Sequence, residues 1–174
     1  MTLANKLTIL RIILIPPVVV CLMLPGQGYQ WAAAAVFFAA SVTDYLDGYL
    51  SRSRNEVSRL GKLLDPMADK LLIAAVFITL VELGRVAAWI VILIVARELA
   101  VTGLRAVAAA EGLVVPADTL GKWKMVAQIV AAIALILSLE PIATLSVWVA
   151  AVLTVWSGVD YVRRYSFLFD ESRR

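Results

Sequence analysis

The chain has 174 residues, of which 62% are apolar, and its mean hydropathy is +0.90. A soluble domain would be about half apolar, so the composition predicts a polytopic membrane protein with residues 1–174 as a single domain. The net charge is +3, histidine is absent and Cys21 is the only cysteine, which excludes an intrachain disulfide and any zinc site built on imidazole.

Six apolar segments follow one another along the chain, each near the ~20 residues that a membrane-spanning helix needs. The first segment contains Pro16 and Pro17, which remove backbone hydrogen-bond donors. The predicted fold class is therefore all-α, with six transmembrane helices. Their predicted bounds are residues 7–24, 30–52, 61–82, 86–109, 120–139 and 142–163.

Lysine and arginine predict the orientation, because cytoplasmic loops are enriched in them. If the N-terminus lies in the cytoplasm, every Lys and Arg lies at or nearer to the cytoplasmic side of the membrane, with two exceptions. Arg97 lies near the middle of its span, and Arg85 lies on the outer side. We therefore expect both termini in the cytoplasm. Membrane lipids, and not nucleic acid, are the expected surroundings.

Four aspartates lie in the second and third segments. Asp44 and Asp47 are three residues apart, and Asp65 and Asp69 are four apart, so each pair lies on one face of its helix. An acidic side chain at membrane depth costs about 3 kcal/mol, and four like charges repel one another unless cations bind them. Carboxylate oxygens suit Mg²⁺ or Mn²⁺, which predicts a metal site able to bridge a diphosphate.

Small residues extend the two acidic faces. Gly48 lies four residues after Asp44, and Gly61 lies four before Asp65, so both leave space for a ligand. Arg52 lies one turn beyond Gly48, at the predicted water boundary. Pro66 either frees a backbone carbonyl near the carboxylates or only bends the helix, and both interpretations stay open.

Together these residues resemble the signature of the CDP-alcohol phosphatidyltransferase family. That signature is Asp-x-x-Asp-Gly-x-x-Ala-Arg, eight residues, then Gly-x-x-x-Asp-x-x-x-Asp, and the chain departs from it only at Ser51, where the family has alanine. The length and the six-span plan fit as well, so the resemblance covers essentially the whole chain.

The resemblance implies that Asp44, Asp47, Asp65 and Asp69 hold two divalent ions, Mg²⁺ or Mn²⁺, on the diphosphate of a CDP-linked lipid. It also implies that Asp69 is the general base, which takes a proton from an alcohol that attacks the lipid-bearing phosphorus and expels CMP. A carboxylate is the natural base in a chain without histidine. The residues implied to contact the CDP moiety are Asp47, Gly48, Ser51, Arg52 and Gly61.

Four cations in the fourth and fifth segments favour an anionic acceptor. Arg97 and Arg105 are eight residues apart and share a helix face, and Lys122 and Lys124 open the fifth segment. Guanidinium groups bind phosphate oxygens bidentately, so convergence of these side chains would favour a phosphorylated polyol. Anchoring at the cytoplasmic boundary is the alternative interpretation.

Flanking segments are similar to bacterial phosphatidylglycerophosphate synthases within the family. The similar segments are residues 3–12 with Pro16, 97–105, 109–112 and 120–124 with Gln128. This similarity implies CDP-diacylglycerol as donor, sn-glycerol 3-phosphate as acceptor, and an active site on the cytoplasmic face of the bacterial cytoplasmic membrane. Asn5, Thr8 and Arg11 lie three residues apart, and we expect Asn5 and Thr8 either to line the nucleotide entrance or to cap the helix.

Other functions are retained as alternatives. Within the family they are cardiolipin synthase, using phosphatidylglycerol, and phosphatidylinositol-phosphate synthase; outside it they are an intramembrane prenyltransferase and a divalent-cation transporter. Small residues at 32–35 and 108–110 predict close helix packing and suggest a homodimer face. Asp160 is expected to form a local ion pair with Arg163 or Arg164.

Overall fold

A computed structural model describes the backbone of residues 3–54, 59–110, 112 and 119–165, and their side chains except at 3–7, 44–54, 59–66, 69 and 110. All regular structure in this part of the chain is helical, which confirms the predicted all-α class. The helices are α1 (Leu3–Met23), α2 (Gln27–Arg54), α3 (Arg59–Glu82), α4 (Ala88–Ala110), α5 (Thr119–Ile136) and α6 (Ile142–Tyr165). Each predicted span coincides with one helix, with ends that differ by a few residues.

Two helices are long and apolar enough to cross a bilayer within the described residues, Thr119–Ile136 and Ile142–Tyr165, and residues 8–23 form a shorter apolar helix. By contrast, α2, α3 and α4 each carry more than two charged residues. Large apolar side chains also cover the outside of the bundle, and Ile92, Leu145 and Trp156 are all more than 60% exposed. Such a surface is typical of a protein surrounded by lipid.

One hydrophobic core draws on all six helices. Fully buried side chains include Phe37 of α2, Phe77 of α3, Ile94 of α4 and Ile136 of α5. The most extensive packing is between α5 and α6, and α1 packs against both α2 and α3. In addition, α4 contacts α3 and α6, whereas α5 contacts α2 and α3. The helices that carry the aspartates therefore share α1 and α5 as neighbours.

Small residues account for the close approach of several helices. Ala131 of α5 and Ala150 of α6 are completely buried, and alanine lets two helix backbones come near each other. Ala33, Ala34 and Ala108, from the segments expected to pack closely, are buried as well. These three alanines pack inside the bundle, so they supply no outer surface for a partner, and the homodimer stays a prediction.

Left-handed turns end both α3 and α5. Gly84 has a φ of 68°, which glycine adopts without a steric penalty, and the Arg85 amide donates to the Leu80 carbonyl at 2.9 Å. Beyond α5 the corresponding position is Ser138, with a φ of 54°. A side chain in this conformation costs roughly 1–2 kcal/mol, so the surrounding packing must hold Ser138 there.

Arg85 joins these two helix ends. Its Nη1 donates to the carbonyl of Leu135 at 3.1 Å and to that of Ile136 at 2.8 Å. Both carbonyls belong to the last turn of α5, where a cation is favoured by the negative end of the helix dipole. Arg85, which the charge pattern predicts on the outer side, thus stabilises the end of a neighbouring helix.

Candidate active site

The four predicted metal ligands lie on continuous helical backbone. Asp44 and Asp47 belong to α2, and Asp65 and Asp69 belong to α3. Helical spacings of three and four keep each pair on one face, as predicted. The side chains of all four aspartates lie outside the described residues, so their metal-binding role stays a prediction.

Most residues predicted to contact CDP likewise have a described backbone and side chains outside those that the structure describes. Besides Asp47, these are Asn5, Gly48, Ser51, Arg52 and Gly61. Among the side chains that the structure does describe, no group of three or more His, Cys, Asp or Glu could hold a metal ion, and this set leaves out the four aspartates. The predictions for the acidic end of α2 and α3 are therefore neither confirmed nor contradicted.

Polar side chains of α1 point into the bundle. Thr8 is 2% exposed and Arg11 is 3% exposed, on the helix that packs against both α2 and α3. Because α1 begins at Leu3, Thr8 lies beyond the first turn, and the capping interpretation of Thr8 is wrong. The other interpretation of Thr8, as part of the nucleotide entrance, stays a prediction.

Two of the predicted acceptor-binding cations meet on one carboxylate, and we call this group the cation cluster: Arg97, Glu98 and Lys124. Nη1 of Arg97 lies 3.3 Å from Oε1 of Glu98, and Nζ of Lys124 binds the same oxygen. The side chains of Arg97, Glu98 and Lys124 are only 13%, 16% and 5% exposed. The cluster therefore joins α4 to α5 in the interior of the bundle.

Lys70 of α3 lies near this cluster. Its charge acts on both Glu98 and Lys124, so the three groups lie within electrostatic range of one another. Lys70 directly follows Asp69 in the chain. The part of α3 that carries the predicted general base therefore lies on the same side of the bundle as this cluster.

Arg105 and Lys122 lie apart from the cation cluster. Nε of Arg105 donates to the Tyr161 hydroxyl at 3.2 Å, and its guanidinium carbon lies 5.6 Å from the centre of that ring. Lys122 is exposed, whereas Lys124 is buried, because residues two apart point to nearly opposite sides of a helix. The structure thus brings Arg97 and Lys124 together, holds Arg105 against α6 and leaves Lys122 at the surface.

Gly158 of α6 makes room for Arg97. A Cβ atom at this position would lie 3.1 Å from Cγ of Arg97, closer than ordinary van der Waals contact. One turn away, the buried Gln128 of α5 donates from Nε2 to Oγ1 of Thr154 at 3.3 Å. Together these contacts fix the position of α6 relative to the helices that carry the cations.

Sequence reasoning gave no role to Lys70, Glu98, Gly158 or Tyr161. Lys70 and Glu98 had a usable signal, since an ionisable side chain inside an apolar segment indicates function by default. Gly158 and Tyr161 had none, because their importance arises only from the way α6 packs against α4.

A groove of about 550 Å³ lies between α4 and α6, and most of its lining is apolar. Trp89 and Trp148 lie at one end, with ring centres 5.8 Å apart, and Asp160 and Arg163 lie at the other. No residue of the predicted site lines it. Oδ2 of Asp160 lies 2.9 Å from Nε of Arg164, which confirms the local ion pair predicted for this segment.

Comparison with known proteins identifies the class of protein. The model of the CDP-alcohol phosphatidyltransferase family matches residues 1–156. The chain belongs to this family, and the resemblance found in the spacing of Asp44 to Asp69 is confirmed. The protein is therefore an enzyme, a phosphatidyltransferase. The family match disfavours the two alternatives from outside the family, the divalent-cation transporter and the intramembrane prenyltransferase.

Several relatives share one activity in their names. The chain is 44% identical to the CDP-diacylglycerol–glycerol-3-phosphate 3-phosphatidyltransferase of Bacillus subtilis, over 91% of this chain and 92% of that protein. The protein of the same name from Haemophilus influenzae is 36% identical, over 90% of this chain and 89% of that protein. A probable phosphatidylglycerophosphate synthase of Mycobacterium tuberculosis is 40% identical, over 93% of this chain and 80% of that protein. The predicted similarity to this branch of the family is confirmed.

Proposed function

We propose that the protein transfers the phosphatidyl group of CDP-diacylglycerol to sn-glycerol 3-phosphate, giving phosphatidylglycerophosphate and CMP. The observation that carries this proposal is the similarity, over about nine-tenths of the chain, to relatives named for that reaction. The cation cluster supports it independently, since buried cations beside α3 suit an acceptor that carries a phosphate.

Divalent metal ions belong to the proposed chemistry. The donor set fits Mg²⁺ or Mn²⁺, because Asp44, Asp47, Asp65 and Asp69 offer only carboxylate oxygens and each pair lies on one face of a continuous helix. We propose that these four residues hold two such ions. When bound, the ions would neutralise the charge of the donor's diphosphate and polarise the phosphorus under attack.

Asp69 is the proposed general base. It removes the proton from the 1-hydroxyl of glycerol 3-phosphate while that oxygen bonds to the phosphorus bearing the diacylglycerol. The bond from this phosphorus to the CMP oxygen breaks, and CMP leaves with the electron pair. The position of Lys70, next to Asp69 and within range of the cation cluster, supports this pairing of base and acceptor.

The two substrates would occupy separate parts of the site. The CDP moiety is proposed to contact α1 and the acidic ends of α2 and α3, through Asn5, Thr8, Asp47, Gly48, Ser51, Arg52 and Gly61. The acceptor phosphate is proposed to bind Arg97 and Lys124, with Arg105 and Lys122 nearer the water boundary. Burial of Arg97 and Lys124 favours direct contact over surface anchoring for these two.

The proposed setting is the cytoplasmic membrane of a bacterium. All six helices would span it as one domain, with both termini and the active site on the cytoplasmic side. The distribution of Lys and Arg supports this orientation, and the shared core supports a single domain. The protein is further proposed to form a homodimer.

Acceptor competition tests the proposed reaction. Purified protein in detergent would receive CDP-diacylglycerol with labelled glycerol 3-phosphate, inositol phosphate or phosphatidylglycerol in parallel. We expect label in phosphatidylglycerophosphate and release of one CMP per transfer only with glycerol 3-phosphate. Chelation with EDTA should abolish both products, and excess Mg²⁺ or Mn²⁺ should restore them.

The alternative acceptors define the contrary outcomes. Incorporation of inositol phosphate or of phosphatidylglycerol, with none from glycerol 3-phosphate, would move the protein to another branch of the family. Full activity after chelation would remove the metal ions from the proposed mechanism.

A further inference from the structure

Glu98 is central to the cation cluster, yet the proposed chemistry gives it no task. Its Oε1 accepts from Nη1 of Arg97 at 3.3 Å and also from Nζ of Lys124. We propose that Glu98 is a positioning residue for the acceptor phosphate, acting through Arg97 and Lys124. This inference rests on the proposed function, in which those two cations bind that phosphate.

Arg97 and Lys124 need an anion between them to stay together. Like charges repel more strongly as the surrounding dielectric falls, and exposure of Arg97 and Lys124 is only 13% and 5%. Long cationic side chains in apolar surroundings otherwise extend towards water. The carboxylate of Glu98 offsets the repulsion and keeps both cations in place before the acceptor arrives.

Glu98 also fixes one helix to another. It belongs to α4, and Lys124 belongs to α5. An ion pair between helices sets the distance between the two cations more tightly than either helix could alone, because each end is anchored to a rigid backbone. The pair that would receive the phosphate is therefore assembled in advance, which lowers the entropic cost of binding.

The contacts of Glu98 leave donors available for a ligand. A guanidinium group has five N–H donors, and Glu98 uses Nη1 of Arg97. Among the described residues, the buried Nε of Arg97 has no hydrogen-bond partner. A buried donor without a partner is unfavourable, so an incoming phosphate oxygen would gain from meeting it.

Kinetics of Glu98 variants test this inference. In Glu98→Gln the size is kept and the charge is lost, and we expect the KM for glycerol 3-phosphate to rise about tenfold while the KM for CDP-diacylglycerol stays within twofold. Glu98→Asp keeps the charge on a shorter side chain, so its KM for glycerol 3-phosphate should lie between those of Glu98→Gln and the unmodified protein. Glu140→Gln, at the other end of the bundle, should behave as the unmodified protein.

Lys124→Met, alone and combined with Glu98→Gln, separates a positioning role of Glu98 from a general loss of structure. Because Glu98 acts through Arg97 as well as Lys124, adding Glu98→Gln to Lys124→Met should raise the acceptor KM further, but by less than the roughly tenfold expected in the otherwise unmodified protein. Size-exclusion profiles and thermal unfolding in detergent identify folded variants, and Glu98→Asp carries the test if Glu98→Gln does not fold.

Each contrary result has a distinct meaning. The inference is overturned if Glu98→Gln changes the acceptor KM by less than twofold, lowers it, or raises the KM of both substrates alike. It is also overturned if the effects of Glu98→Gln and Lys124→Met on the acceptor KM multiply in the double variant. If Lys124→Met raises the acceptor KM and Glu98→Gln does not, only the role of Glu98 fails. If Lys124→Met has no effect, the proposed phosphate site at Lys124 fails, and the role of Glu98 fails with it.

Discussion

A single methyl group at Gly158 is expected to disturb substrate binding. The added Cβ in Gly158→Ala would lie 3.1 Å from Cγ of Arg97, so the arginine must shift by a few tenths of an ångström. We predict a three- to tenfold higher KM for glycerol 3-phosphate, about 1 kcal/mol, with an unchanged KM for CDP-diacylglycerol. Steady-state kinetics with each substrate varied in turn would measure both.

Gly103 provides the matched control. It lies on α4, the helix of Arg97, and an added Cβ would meet nothing within 4 Å. Gly103→Ala should keep both KM values and gain up to about 1 kcal/mol of stability, because alanine favours the helix. Equal kinetics for the two alanine variants would show that the space beside Arg97 is not needed.

Loss of the Asp69 carboxylate is expected to stop turnover. Asp69→Asn removes the proposed proton acceptor and one metal ligand, so kcat should fall by at least 10³-fold while the protein stays folded. Asp160→Asn is the comparison, since it alters an aspartate that forms an ion pair with Arg164 and has no part in the proposed chemistry. Substantial CMP release by Asp69→Asn would transfer the role of base to another group.

Individual residues differ in how far sequence could predict them. The four aspartates were predicted because their spacing alone places them on two helix faces. The family that this pattern indicated is confirmed, whereas their role as metal ligands stays a prediction. Arg97 and Lys124 were found as cations in apolar segments, but their shared partner Glu98 was not. Contacts between helices, such as that of Tyr161 with Arg105, depend on packing angles that no local pattern encodes.

Arg85 contributes to stability at the scale of whole helices. Arg85→Ala would leave the last carbonyls of α5 without their cationic donor, at a cost of about 1–3 kcal/mol. We expect a lower temperature of unfolding in detergent, with unchanged KM values for both substrates.

Arg164→Ala is a suitable reference for Arg85→Ala. The side chain of Arg164 is 58% exposed in its pair with Asp160, and such surface pairs contribute about 0–1 kcal/mol. A similar loss of stability in both variants would show that the junction of α3 and α5 has no special importance.

The helices were predicted well as units, and their neighbours were not. Long apolar runs and the breaks between them located each of the six helices within a few residues. In α1, the spacing of Asn5, Thr8 and Arg11 marked one polar face, but the apolar side chains around it gave no indication of which helices pack there. The packing of α1 against both α2 and α3 therefore emerges only in three dimensions.

Orientation can be tested on the whole molecule through its cysteines. In a Cys21→Ser background, Thr119→Cys at the start of α5 and Glu140→Cys beyond its end would occupy opposite sides of the membrane. A thiol reagent that does not cross membranes should label Glu140→Cys in intact cells and Thr119→Cys only after permeabilisation. The reverse labelling pattern would invert the proposed topology.

The length of α2 has a consequence for where the reaction takes place. With 28 residues, α2 is about 42 Å long, whereas the hydrocarbon layer is about 30 Å thick. If α2 enters the layer at Gln27, its final two turns emerge among the lipid headgroups, and they begin close to Asp47. The cytidine and its diphosphate could then stay hydrated while the acyl tails remain in the hydrocarbon layer. Turnover would therefore never require the charged CDP group to cross that layer.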